Sequence, residues 1–167
     1  MEQVNEIVVR LELVPHPEGG FYRETYRSEE LIPAQDLFFD RFDGPRNCCT
    51  AIYFLLQQGQ KSHLHRIKSD EIWHHYEGGQ VCIVEVTPHG ELKKTLLGSV
   101  RHHNSLPQYV VRTGNWFGAF AVGDEPYSLI GCTVAPGFDF ADFEMADIQL
   151  LDEWQGEERS LLASLIR

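Results

Sequence analysis

The chain is short of positive charge, of paired cysteines and of long apolar runs, and each shortage argues against a class of protein. Against 25 acidic residues stand 14 lysines and arginines, a formal net charge of −11 over 167 residues. So acidic a surface repels phosphate backbones and anionic lipid, and neither nucleic acid nor membrane is an expected partner. The four cysteines, Cys48, Cys49, Cys82 and Cys132, have no C-x-x-C spacing and lie inside apolar, strand-like runs. Reduced, buried thiols in a cytoplasmic protein follow more readily than disulfides or a zinc site. No apolar run approaches membrane-spanning length. The opening MEQVNEIVVRLEL carries Glu2 and Glu6 where a signal peptide would be basic. Repeats, low-complexity tracts and linkers are also missing, so one domain over 1–167 is expected.

What is present is a succession of short β-type segments between two helical ends. Val4, Ile7, Val8 and Leu11 recur at helical spacing, and Pro15 and Pro17 end that helix. Residues 21–27 alternate as a strand, 28–47 read as a loop with a short element and an apolar Leu37-Phe38-Phe39, and 48–57 form a central strand. Further strands follow at 81–86, 91–97, 109–111, 116–122 and 127–134, separated by glycine-containing turns. His102 and His103 fall in a polar loop and read as solvated. Many short strands at close spacing mean an antiparallel sandwich or small barrel. The end returns to helix, with an apolar stripe of Leu161, Leu162, Leu165 and Ile166 for packing on the barrel or a second subunit.

The stretch that invites chemistry is HLHRIKSDEIWHHYEGG, residues 63–79. His63 and His65 are two apart, so on one strand they project to the same face, roughly 7 Å from each other. Glu71, Trp73 and His75 make a second such set. Folded together by a turn at Lys68-Ser69-Asp70, two imidazoles and a carboxylate converge, which suits a divalent metal or proton transfer near neutral pH. The competing reading is a polar hairpin without chemistry, since an H-x-H pair alone arises easily by chance. Upstream, alternation puts Phe21, Arg23, Thr25 and Arg27 on one side of their strand. Two arginines there hold either an anionic ligand or the neighbouring Glu24, Glu29 and Glu30.

The spacing G-x3-H-x-H-x5-E-x6-G (Gly59, His63, His65, Glu71, Gly78), followed by RTGNWF at 112–117, resembles the two motifs of the cupin superfamily. PHPEGGFYRE, HRIKSDEIWH, TGNWFGA and APGFDFADFE look like the signature segments of one small cupin family of unknown function. The resemblance implies a mainly β fold, an RmlC-like jelly roll (double-stranded β-helix) with short N- and C-terminal helices, usually dimeric, with a pocket inside the barrel. It assigns His63, His65 and Glu71 as ligands of a divalent metal (Zn, Fe, Mn or Ni), while Phe117 stands where the second motif has its histidine. Likeness to metal-free sugar-nucleotide epimerases implies instead a carbonyl or phosphorylated-sugar isomerase. There His65 or His75 is the base, Arg23, Arg27, Arg66 or Arg112 holds phosphate, and Tyr53, Trp73 or Trp116 stacks on a ring. A metal-dependent enzyme and a non-catalytic ligand-binding module are the alternatives.

Overall fold

The computed structural model describes residues 2–37 and 41–167. Phe38 and Phe39 of the expected apolar segment lie outside the described residues. Helix α1 (Glu2–Arg10) precedes strands β1 (Val14–Pro15), β2 (Phe21–Arg27), β3 (Leu31–Ile32) and β4 (Arg46–Asn47). The long hairpins follow: β5 (Thr50–Gln57), β6 (Lys61–Arg66), β7 (Asp70–Gly78), β8 (Gln80–Val86) and β9 (Leu92–Leu97). Strands β10 (Gln108–Val111), β11 (Trp116–Val122), β12 (Tyr127–Ala135) and β13 (Glu144–Met145) complete the sheets before helix α2 (Gly156–Leu165). Between β13 and α2 only a single 3-10 turn forms, Ile148–Leu151.

Eleven strands make two facing antiparallel sheets, ordered β1-β2-β5-β12-β7-β10 and β13-β6-β11-β8-β9, while β3 and β4 pair as a separate two-stranded ribbon. This is a jelly roll, the fold that the cupin resemblance implies, and a form of the antiparallel sandwich that the short-strand pattern predicts. Alternation sorts the apolar side chains into three clusters. Phe54, Leu56, Trp73, Ile83, Phe117 and Ile130 fill the space between the sheets. Leu64, Val84 and Leu151 pack with Leu162 and Leu165 of α2 outside the five-stranded sheet. Val4, Leu13, Leu55 and Tyr127 form the third cluster, with Ile7, Val8 and Leu11 packed against it, so α1 lies on the outer side of the other sheet. The C-terminal stripe is therefore spent on the chain's own sheet. Among the described residues no helix is long and apolar enough to cross a membrane. Cys82 and Cys132 are buried, Cys48 and Cys49 half-buried, and all four are free thiols.

Three register shifts decide which side chains face inward. In β6, His65 pairs with Phe117 and Ser62 with Ala119, three residues against two. The extra residue is a bulge, and it breaks the alternation between His63 and His65. In β2, Glu24 pairs with Ile52 and Tyr26 with Ala51, two residues against one. In β7, His75 pairs with Ile130 and Glu77 with Leu129.

Candidate functional site

A cavity of about 360 Å³ opens between the sheets at the end where β2, β6 and β7 begin or finish, a size typical of small-molecule sites. Its floor is polar and its walls are apolar. His65 and Glu71 reach it, together with two residues that the sequence reading passed over, His16 and Glu18. These come from the loop between β1 and β2, His16-Pro17-Glu18-Gly19-Gly20. A Cβ on Gly19, whose φ is +111°, would stand 2.1 Å from the Lys61 carbonyl oxygen. Only glycine lets the loop press onto β6, where the His63 amide donates to the Glu18 carbonyl at 2.7 Å. That contact delivers the Glu18 carboxylate to the cavity floor.

Glu18 bridges two imidazoles. Its Oε2 is 3.1 Å from His65 Nε2 and 3.3 Å from His16 Nδ1, while Oε1 accepts from the Ser62 hydroxyl at 2.8 Å. The other nitrogen of His65, Nδ1, lies 2.7 Å from the His63 carbonyl oxygen. A carbonyl only accepts, so Nδ1 carries a proton, and Nε2 and Glu18 share one further proton between them. Burial pushes the His65 pKa down, against an upward pull from Glu71 and from the His63 carbonyl. Burial pushes Glu18 up, opposed by His16 and by the Ser62 hydrogen bond. Both shifts favour the uncharged form of the pair. His16 is also lowered by burial, and its Nδ1 accepts from the Glu18 amide.

Glu71 is the second acid of the floor. Burial raises it to about 7; His65 pulls down, Glu18 pushes further up, and a hydrogen bond with Cys132 pulls down. Cys132 lines the same cavity, its thiol pushed up by burial and by Glu71, so it stays protonated. The rim is different. Arg27 donates from Nε and Nη2 to both oxygens of Glu24 at 2.9 and 2.7 Å, and from Nη1 to Asn47 at 2.7 Å. Arg23 holds Glu12 at 2.8 Å. One wall is the segment after β12, which carries Phe138, Phe140 and Phe143. It is pinned by the Phe138 amide to Thr50 Oγ1 at 2.9 Å and by a buried two-pronged bond from Arg46 to Asp142 at 2.7 and 2.6 Å.

Several expected site residues are placed elsewhere. His63 does not line the cavity; the bulge turns it aside, and its Nδ1 lies 2.7 Å from the Glu18 carbonyl oxygen. His75 shares the inward side of β7 with Glu71 but lies four residues on, about 13 Å along the strand, beyond Trp73. Its Nε2 sits 2.9 Å from the Gly79 carbonyl. Trp73 is core, packed edge-on against Phe54 and Phe117, and its indole N–H has no hydrogen-bond partner among the described residues. Tyr53 is on the outer face of its sheet, with the Arg23 guanidinium 5.8 Å from its ring centre. Arg66 stacks on Trp116 at 4.4 Å and pairs with Glu144, outside the barrel. Arg112 is exposed and holds Asp70 at 2.7 Å. The β2 bulge separates Arg23 from Arg27: Arg27 turns inward beside Glu24, and Arg23 stays on the outer face and touches only the rim.

The metal set expected from His63, His65 and Glu71 is therefore not assembled. Both nitrogens of His65 are engaged, His63 is turned away, and the buried Phe117 ring lies 4.1 Å from the His65 ring, centre to centre, in the place of a fourth ligand. Among the described residues no three His, Cys, Asp or Glu side chains are grouped to hold a metal ion. These donors do not fit Zn, Fe, Mn or Ni.

The family model described as Cupin superfamily (DUF985) matches residues 5–146. The chain belongs to that cupin family. The cupin is 28% identical over 146 residues to the uncharacterized protein YML079W of Saccharomyces cerevisiae, covering 83% of this chain and 73% of that one. Among solved structures it resembles protein SO0799 of Shewanella oneidensis, at 36% identity and a TM-score of 0.81 over 98% of this chain and 96% of the other. A hypothetical protein from Leishmania major is similar at 31% identity and a TM-score of 0.84, over 97% of each chain. Oxalate decarboxylase from Bacillus subtilis shares the fold, with a TM-score of 0.56 at 14% identity over 92% of this cupin and 34% of that chain.

Of the cavity residues missed in the sequence, His16 and Glu18 had a readable signal. A histidine and a glutamate around one proline, ahead of paired glycines, are a costly sequence for a plain turn. The three phenylalanines of APGFDFADF were visible as an aromatic segment, but nothing local shows that they wall a cavity.

Proposed function

We propose that this cupin binds a small carbonyl compound and moves protons on it, as an isomerase or epimerase. The observation that carries the reading is that two separate proton-holding groups, Glu71 and the Glu18–His65 pair, share the floor of one cavity. Glu71, near 7, is poised to be acid or base at neutral pH. As an acid it hydrogen-bonds the carbonyl oxygen. The Glu18–His65 pair takes the proton from the adjacent carbon on a Glu18 oxygen while the proton it already shares passes wholly to His65 Nε2. The enol's hydroxyl then returns its proton to Glu71, and the pair gives one back to carbon: to the same carbon after the bound enol has turned its other face to the pair, for an epimerase, or to the far end of a dienol where a double bond is adjacent, for an isomerase. No electrons are exchanged with another reactant. His65 thus acts through Glu18, and His75 has no part.

Incubation with a broad panel of ketones, aldehydes and sugar nucleotides in D2O tests this. Solvent deuterium is expected at the carbon next to a carbonyl, and its absence across the panel leaves a ligand-binding module without catalysis. We also infer a homodimer through the outer face of the six-stranded sheet, where Tyr26 and Tyr76 are more than half exposed. Sedimentation of the wild type and of Tyr76→Glu checks it; a wild-type monomer refutes it.

A further inference from the structure

We propose, resting on the acid–base reading above, that the cavity takes an uncharged carbonyl compound with a flat apolar body, such as a bicyclic ketone, rather than a phosphorylated sugar. The walls carry this. Phe138 and Phe140 meet edge-on at 5.0 Å between ring centres, and Phe143 stands 6.2 and 6.0 Å from them. His16 lies nearly parallel to Phe140 at 6.2 Å and edge-on to Tyr22 at 4.4 Å. Such a box offers ring faces and edges to a flat guest and few partners to a hydroxyl. A sugar buried there leaves several hydroxyls unpaired, and each weakens binding.

Charge points the same way. Four carboxyl groups, those of Glu12, Glu18, Glu24 and Glu71, line the cavity against two guanidiniums, Arg23 and Arg27. Both arginines already hold a glutamate. A phosphate dianion has to evict a glutamate from its arginine, and the floor acids Glu18 and Glu71, held toward their uncharged form by burial, offer it no cation in exchange. An ammonium guest would suit the rings and the acids, but it would present no carbonyl to Glu71.

Isothermal titration calorimetry with four probes decides it: 2-tetralone, the matched cation 2-aminotetralin, the matched anion 2-naphthoate, and glucose 6-phosphate. The ketone is expected to bind at least about tenfold more tightly than the other three. Phe140→Ala, at a ring half exposed in the free protein, should weaken the ketone about five- to tenfold and leave the melting temperature near that of the wild type. Tighter binding of the amine, the naphthoate or the sugar phosphate overturns the proposal, and so does silence from the ketone. The two readings fail separately. Ketone binding without deuterium exchange keeps the ligand class and removes the chemistry; exchange into a sugar nucleotide without ketone binding does the reverse.

Discussion

The cavity's rim and its floor are built from the same residue types and behave in opposite ways. At the rim, Glu12 and Glu24 each have an arginine within 2.8 Å and solvent nearby. On the floor, Glu18 and Glu71 are buried with imidazoles and a thiol but no guanidinium or ammonium. Where a counter-charge is supplied the carboxylate is tied up by it; where it is withheld, a proton must take its place. Chemistry near neutral pH belongs to the second kind.

The sharpest way to break that contrast is to neutralise one glutamate of each kind. Glu71→Gln keeps the shape and a hydrogen-bond donor but cannot give up a proton, so exchange into a ketone should fall about 10²- to 10⁴-fold. Glu24→Gln should change it less than about threefold, because Glu24 serves Arg27 and not the guest. Equal losses from the two would show that the rim takes part in the chemistry. Mass-spectrometric deuterium counting on both variants is the measurement.

A third carboxylate separates burial from missing counter-charge. Asp142 is as buried as Glu71, yet it holds Arg46 through two bonds and has Lys68 Nζ at 3.7 Å. Arg46→Leu removes the main partner and leaves a buried charge with only the half-exposed lysine. It should cost about 3–5 kcal/mol by urea denaturation, and loosen the Phe138–Phe143 wall that the pair pins. A loss below 1 kcal/mol would mean that the segment is held by its backbone bonds alone.

How much of this the sequence revealed turns on the bulges. The antiparallel sandwich follows from strand spacing and glycine-bearing turns, and the jelly roll from the cupin resemblance; neither depends on register. The site does depend on it. Alternation puts His63 beside His65 and Arg23 beside Arg27, and one extra residue in β6 and another in β2 undo both pairs. A bulge is fixed by what lies across the sheet: Phe117 and Ala119 opposite β6, Ile52 and Ala51 opposite β2. No local pattern announces it. Glu71 came out correctly placed because the β7 shift lies beyond it, past His75. His16 and Glu18 are close to His65 only through the folded loop, a contact of long sequence separation.

The pH dependence of stability sharpens the floor further. Glu71 moves from an ordinary value of 4.5 to about 7 on folding, so the folded chain binds the extra proton between those limits. Its contribution is full below about pH 4.5 and is lost as pH rises through 7, about 3 kcal/mol across the window. His65 and His16, lowered by burial, act with the opposite sign below their ordinary value of 6.5, Glu18 acts with the same sign as Glu71, and Cys132 titrates far above the window. The difference between wild type and Glu71→Gln removes those shared contributions. That variant should match the wild type near pH 4 and exceed its stability at pH 8 by up to about 3 kcal/mol. A variant that is less stable at pH 8 would mean that the ionised carboxylate is compensated after all.

The smallest effect belongs to the rim's other pair. Arg23 and Glu12 are 37% and 77% exposed in their side chains, and between them water screens most of the attraction. Arg23→Met should therefore cost no more than about 1 kcal/mol by denaturation. It keeps most of the side chain's apolar length against Tyr53 and gives up only the pairing. Ketone affinity should stay within about twofold, since the guest's polar end is on the floor. Should that substitution abolish binding or destabilise the chain by several kcal/mol, the guanidinium is contacting the guest or anchoring β1. The division between an inert rim and a reactive floor would then have to be redrawn around Arg23.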